Sequence, residues 1–299
     1  MHAAVVAAVL ALVPPLSLTP SRASCPRHAL VAHSSLLRAS VVATELADGA
    51  KVEVAEQTPS AEATPKGGKG GKFNARISEA QDTSTLLALV EEAGPLEQRK
   101  DSELTWALHR LAAINKRRRA SRDALLRERR FEALLDAITE RSPKLGSRDV
   151  AHVLWSLATL QHFPPSMLMP LLTGLAAQLD ADAFEAKHLS TVVWSLAKLQ
   201  TKPTRLLERI ETMAISQLSE MNPQNVANLL WGFGKLNYQP AKLLVHVPEA
   251  LLAPGMIDQA KAVEVADLAW SLSVLATPDD DNDYDALLTA LAARATPET

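Results

Sequence analysis

With 299 residues, 47% of them apolar and only 4% aromatic, the chain can fill one or two domains and favours helix over strand, because Ala and Leu dominate it. A formal charge of −3 excludes a global electrostatic pull toward nucleic acid or an anionic membrane. The single cysteine, Cys25, falls in a segment expected to be removed, which excludes disulfides and a thiolate metal centre in the mature chain.

Residues Ala3 to Val13 form an apolar run of 11, ended by Pro14-Pro15. It is too short to cross a bilayer, which needs roughly 20 residues, but it matches a signal-peptide core. Ser21-Arg22-Ala23-Ser24 offers a small-residue cleavage site. From Pro14 to Thr44 come Arg22, Arg27 and Arg38, many Ser and Ala, and no acid before Glu45, which is transit-peptide composition. A signal core followed by a transit-like stretch resembles the two-part leader of plastid proteins in algae with secondary plastids. The expected destination is an organelle, a plastid in preference to a mitochondrion, with secretion as the alternative and no stable membrane insertion.

The segment 45–82 reads as a flexible linker, since Thr58-Pro59, Thr64-Pro65 and the Gly/Lys run 66–72 lack apolar periodicity. The Gly/Lys run is not a phosphate loop: Lys66 stands where the first glycine belongs, and Phe73 follows Lys72.

From residue 83 to 299 one phrase recurs. Trp106, Trp155, Trp194, Trp231 and Trp270 are separated by 49, 39, 37 and 39 residues, the first gap being widened by a basic stretch after Ile114. The copies ELTWALHRL (103–111), HVLWSLATL (152–160), TVVWSLAKL (191–199), NLLWGFGKL (228–236) and DLAWSLSVL (267–275) align without gaps. Apolar residues stand two before, two after and five after each Trp, on one side of a helix. Small residues mostly fill the places four before and three after, beside the Trp. The tryptophans are therefore expected in the core. A narrow face stays polar and varies between copies: the places six and three before Trp, and one and four after. It includes His152, Thr159, Thr191, Lys198, Asn228 and Lys235.

Amphipathic segments precede the later copies at Phe131–Ile138, Ser166–Leu179, Thr204–Leu218 and Lys242–Leu252, and a lone helix is expected near Tyr284–Ala293. Ser147 and Asn222 are good N-cap choices, with Pro223 fitting the first helical position. The Trp helices run out toward Pro164-Pro165, Pro203, Pro240 and Pro278. A fixed period of about 38 residues predicts an all-α, right-handed-type α-solenoid of helix-turn-helix units, about five of them with the last incomplete.

The wording around PQNVANLLWGFGKL (223–236), with prolines opening the next unit as at Pro164-Pro165, resembles the octotricopeptide-repeat family. It is also similar to the Leu-rich region of FAST-kinase-like and RNA-editing substrate-binding complex proteins. The resemblance covers roughly Leu86 to Leu291. It implies an organellar protein that binds single-stranded rRNA or mRNA and acts in its processing, stability or translation, with possible protein partners in a ribonucleoprotein complex.

Eight basic residues in the fifteen from 116 to 130 are the best phosphate-contacting candidates: Lys116, Arg117, Arg118, Arg119, Arg122, Arg127, Arg129 and Arg130. From Pro143 onward, however, 11 Lys/Arg face 17 Asp/Glu, which favours an alternative, a protein-binding α-solenoid scaffold without direct RNA contact. The acidic run Pro278 to Asp285 lacks the Gly and terminal Glu of an EF-hand and reads as a turn into the last helix. No nucleophile elbow, H-E-x-x-H, C-x-x-C or dinucleotide fingerprint occurs, so the expectation is no enzyme activity, no cofactor and no metal.

Overall fold

The computed structural model describes residues 69–275 and 284–295. The leader at 1–44, the linker as far as residue 68 and the acidic run from Pro278 to Asp283 lie outside them. The described residues form fourteen α-helices and no strand. In chain order they begin α1 (Lys69–Glu79), α2 (Thr83–Glu92), α3 (Asp101–Asn115), α4 (Arg119–Leu125), α5 (Arg129–Arg141), α6 (Ser147–Leu160) and α7 (Pro165–Asp180). There follow α8 (Ala186–Lys198), α9 (Thr204–Ser216), α10 (Pro223–Lys235), α11 (Ala241–Leu244), α12 (Val247–Leu252), α13 (Ala262–Leu275) and α14 (Tyr284–Ala295). Among the described residues no helix is long and apolar enough to cross a membrane.

The five Trp phrases lie on α3, α6, α8, α10 and α13, which pack one against the next in that order. The helices between them make a second layer, α5 against α7, α7 against α9 and α9 against α11, with α12 against α14. The apolar side expected from the spacing faces this interior. Leu104, Leu108 and Leu111 of α3, Val153, Leu157 and Leu160 of α6, and Leu229, Phe233 and Leu236 of α10 are all buried. Each fully buried Leu contributes about 1.5–3 kcal/mol relative to an exposed one.

Starts and stops of the Trp helices follow from local chemistry. At α10, the Asn222 side chain accepts a hydrogen bond from the Asn225 backbone N–H at 2.8 Å, and Asn225 Oδ1 accepts one from the Asn222 N–H at 3.3 Å. Pro223 opens the helix, where its missing N–H costs nothing. At the other end, α6, α8 and α10 close in the same way. Gln161, Gln200 and Asn237 take left-handed φ values of 52°, 54° and 50°. The N–H groups of His162, Thr201 and Tyr238 then reach back to the carbonyls of Leu157, Leu196 and Phe233. Such a closure satisfies carbonyls that the helix end would leave without partners.

Neighbouring Trp helices run parallel, because equivalent residues lie side by side. The Trp194 and Trp231 ring centroids are 6.4 Å apart, and those of Trp231 and Trp270 are 6.5 Å apart. The small residues explain the close approach. A Cβ on Gly232, the place after Trp231, would lie 2.7 Å from Val193 Cγ1 and 2.9 Å from the Val193 carbonyl. At the same place Ser156, Ser195 and Ser271 are buried and turn their hydroxyls onto the carbonyls of His152, Thr191 and Asp267.

Two stretches depart from the sequence reading. Helix α1 occupies the end of the segment read as linker, with Phe73 and Ile77 buried. It packs on α3, where Trp106 Nε1 donates to Ser78 Oγ at 3.1 Å and Arg110 donates to the Ala80 carbonyl at 2.8 Å. The stretch 242–252, expected to be one segment, is broken into α11 and α12. Pro248 has no N–H to donate and sits in the first turn of α12, where proline is tolerated.

Candidate functional site

The varying polar face is not one exposed surface. The place after each Trp is buried throughout, as Ala107, Ser156, Ser195, Gly232 and Ser271, because it meets the neighbouring Trp helix. His152, Thr159 and Asn228 are buried as well, and Thr191 is half-buried with its hydroxyl on the Lys187 carbonyl at 2.8 Å. Spacings of three and four place these residues on one side of their own helix. They do not reveal that a second helix covers it. Of the six candidates on this face, only Lys198 and Lys235 are exposed.

At the first two Trp helices the face is an aromatic cluster. His109 stacks on Trp106, with centroids 5.1 Å apart and planes within 9°. His109 also lies 5.0 Å from His152 and 4.5 Å from Trp155. The tryptophans themselves divide into two groups. Trp155 and Trp194 are core residues, 1% and 7% exposed, whereas Trp106, Trp231 and Trp270 are only partly buried.

Toward the other end the pattern changes to alternating rings and cations. Lys198 lies at the last residue of α8, with Nζ 5.4 Å from the Trp194 centroid and 5.1 Å from that of Trp231. Lys235 lies at the last residue of α10, with Nζ 5.6 Å from the Trp231 centroid and 4.2 Å from that of Trp270. Each ammonium thus serves two rings, an attraction worth about 0.5–1 kcal/mol per contact at exposed sites. A cavity of about 370 Å³ opens here, lined by Ala197, Lys198, Gln200, Lys202, Trp231, Lys235 and Leu236. Lys202 Nζ also donates to the Asn237 carbonyl at 2.5 Å, tying the loop after α8 to the end of α10. Asp267 of α13 lies near enough to feel both exposed lysines. Burial pushes its carboxyl up to about 6, and the charges of Lys198 and Lys235 oppose that rise.

The basic stretch makes a separate feature after α3. Arg117, Arg118, Arg119, Arg127 and Arg129 are exposed, and Lys116, Arg122 and Arg130 are partly so. The patch is anchored rather than loose. Leu125 of α4 is buried, and Ser121 donates to the side chain of Asn115, itself buried at the end of α3. Asn115 in turn bonds Thr83 at the start of α2. Arg130 pairs with Glu128 at 2.9 Å and Glu91 at 3.7 Å, and Arg119 lies 3.8 Å from Asp123. The hydrogen bond and charge of Glu128 hold the Arg130 guanidinium above its ordinary pKa. For Arg117, Arg118, Arg122, Arg127 and Arg129 no ion pair is formed among the described residues, so their charge is available to an anion. Because the Trp helices are parallel, this patch and the lysine cavity both lie at their C-terminal ends.

Sequence reasoning found Lys198 and Lys235 but not Gln200, Lys202, Trp231, Leu236 or Asp267 as parts of one site. The available signal was a lysine four places after Trp in two successive copies. Among the described residues no group of three or more His, Cys, Asp or Glu is placed to hold a metal ion. In comparisons with known proteins, no family model and no curated protein matches the chain.

Proposed function

We propose that this chain is an organelle-imported α-solenoid, built from units of about 38 residues, that binds single-stranded RNA and acts in its processing, stability or translation. The observation that carries this reading is the cationic and aromatic edge at the C-terminal ends of the Trp helices. There, arginines after α3 that form no ion pair among the described residues, and Lys198 and Lys235 lying over the partly exposed Trp231 and Trp270, supply the two things a single strand needs. Cations offset phosphates, and ring faces receive bases. The solenoid part rests on the recurring phrase and on the packing of each Trp helix against the next. Import rests on the leader at 1–44, with a plastid preferred to a mitochondrion; fusing that leader to a fluorescent protein tests it.

A second reading, a protein-binding scaffold, is favoured by the surplus of acids from Pro143 onward, 17 against 11 bases. Salt separates the two. Fluorescence anisotropy of mixed-sequence single-stranded RNA with the full chain should show binding that weakens steeply as salt rises. Replacing Arg117, Arg118 and Arg119 with Ala together should lower the slope of log K against log salt by about 2, at roughly 0.7 per phosphate contact. Absence of binding at low salt would sink the RNA reading in favour of the scaffold.

A further inference from the structure

We infer that the cavity between the ends of α8 and α10 binds one phosphorylated nucleotide, its phosphate held by Lys198, Lys202 and Lys235 and its base laid against Trp231. This deepens the RNA reading and rests on it for the source of the nucleotide.

Three observations carry the inference. The first is size. At about 370 Å³ the cavity sits near the small end of ligand sites, about 300 Å³, with room for one nucleotide rather than a strand. The second is charge. Three ammonium groups line or border the cavity and one carboxylate, Asp267, lies near two of them. The surplus of about two positive charges matches a phosphomonoester, which carries about −1.5 to −2 at neutral pH. A phosphodiester, with one charge, would leave a lysine unmatched. The third is that the fold does not require these lysines. At the place of Lys198 and Lys235, the other Trp helices carry Arg110, Thr159 and Val274. At the place of Lys202, eight after Trp, the next copy has Gln239, whose amide donates to the Leu275 carbonyl at 2.6 Å. A neutral side chain therefore ties one loop to the next helix end equally well, and the charge of Lys202 is surplus to that task.

Gln200 and the apolar Ala197 and Leu236 complete the lining beside the partly exposed Trp231 ring. A base laid on that ring takes the place of the Lys198 ammonium now over it, which turns to the phosphate. The same chemistry could come from a free nucleotide or from the phosphorylated end of an RNA strand.

The test is tryptophan fluorescence of the full chain titrated with adenosine monophosphate, uridine monophosphate, inorganic phosphate and adenosine. Saturable quenching by both monophosphates below about 1 mM, with adenosine far weaker, is the expected result. Lys202→Gln, like Gln239 in the next copy, should still reach the carbonyl of the following helix end and should weaken the monophosphates about tenfold, as should Lys235→Ala; Asp267→Asn should tighten them. Circular dichroism checks that each variant is folded. In a second arm, a short single-stranded RNA bearing a 5′-phosphate is compared with the same strand ending in a hydroxyl. Tighter binding of the phosphorylated strand, lost in Lys235→Ala, identifies a strand end as the source. Quenching by free monophosphates with no preference between strands identifies a free nucleotide. If monophosphates do not quench and the strands bind alike in wild type and Lys235→Ala, the inference is overturned while RNA binding stands. If monophosphates quench but no strand binds, the cavity assignment stands and the RNA reading falls.

Discussion

Gly232 and Gly234 lie two residues apart in the last turn of α10, and replacing each with alanine should move stability in opposite directions. On propensity alone both changes favour folding, since Ala exceeds Gly in a helix by about 0.5–1 kcal/mol. Their surroundings differ. A Cβ at Gly232 would meet the Val193 backbone, with carbonyl carbon and oxygen both at 2.9 Å, as well as Val193 Cγ1 at 2.7 Å. Relief needs α8 and α10 to part by roughly half an ångström or more, which strips van der Waals contact along the whole interface. Overpacking of this kind costs about 1–3 kcal/mol, so Gly232→Ala should destabilise by about 1 kcal/mol, and by up to about 2.5 kcal/mol, after the propensity gain is subtracted. At Gly234 the new Cβ would meet the rim of the partly exposed Trp270 ring, at 3.1 and 3.3 Å, and Val274 Cγ1 at an ordinary contact distance of 3.8 Å, but no backbone. That ring can shift by a few tenths of an ångström, and Gly234→Ala should be neutral or stabilising by up to about 1 kcal/mol. Urea melts followed by circular dichroism at the helix band give both numbers. If Gly232→Ala is as stable as Gly234→Ala, backbone contact does not set the spacing of the Trp helices.

Glu211 of α9 accepts from the backbone N–H groups of Lys242 and Leu243 and from the Tyr238 hydroxyl, so it closes the start of α11 from the neighbouring helix of the same layer. Glu211→Gln should cost about 1–3 kcal/mol in the same melts, and a cost near zero would show that water replaces the carboxylate. Trp155→Ala removes a ring 1% exposed and should cost about 3–5 kcal/mol, whereas Trp231→Ala, at a half-buried ring, should cost clearly less; equal losses would refute the division of the tryptophans. Asp267 has a carboxyl raised to about 6, against about 3.9 for an exposed aspartate. The folded chain holds that proton more tightly than the unfolded chain, so the group favours folding below about pH 4 and that stability is lost as pH rises to about 6. Asp267→Asn should remove this part of the pH profile and raise stability at pH 7 by at most about 3 kcal/mol; identical slopes in both proteins between pH 4 and 6 would contradict it.

The Trp helices were legible because their signal is periodic and local. Asn222 and Pro223 announce the start of α10, and the leucines two and five places after Trp announce its buried side. Ser147 was off by one, since Gly146 takes the capping place and Ser147 begins the helix. Helix α1 was hidden by the Gly/Lys run at its start; what stabilises it is Phe73 and Ile77 meeting the rest of the core, and a contact with distant residues leaves no mark on composition. The site was half legible for a related reason. Periodicity gives the angle of a residue on its own helix, and so it placed His152, Thr159 and Asn228 with Lys198 and Lys235. Whether that angle meets water or a neighbour depends on the offset between helices. Here the neighbouring helix covers His152 and Asn228, while at the place four after Trp the short Thr159 side chain is buried and the longer Lys198 and Lys235 reach water.

Chain-order packing also sets how the molecule comes apart. Helix α8 is flanked by α6 and α10, while α13 ends the row of Trp helices and has α14 beside it. When contact runs chiefly between successive helices, an opening at one end removes one interface, whereas an opening in the middle removes two. Fraying should therefore advance inward from the termini. Amide protons in α8, the middle of the row, should exchange last, through the rarest openings, which places the Lys198 wall of the lysine-and-indole cavity on the most slowly opening helix.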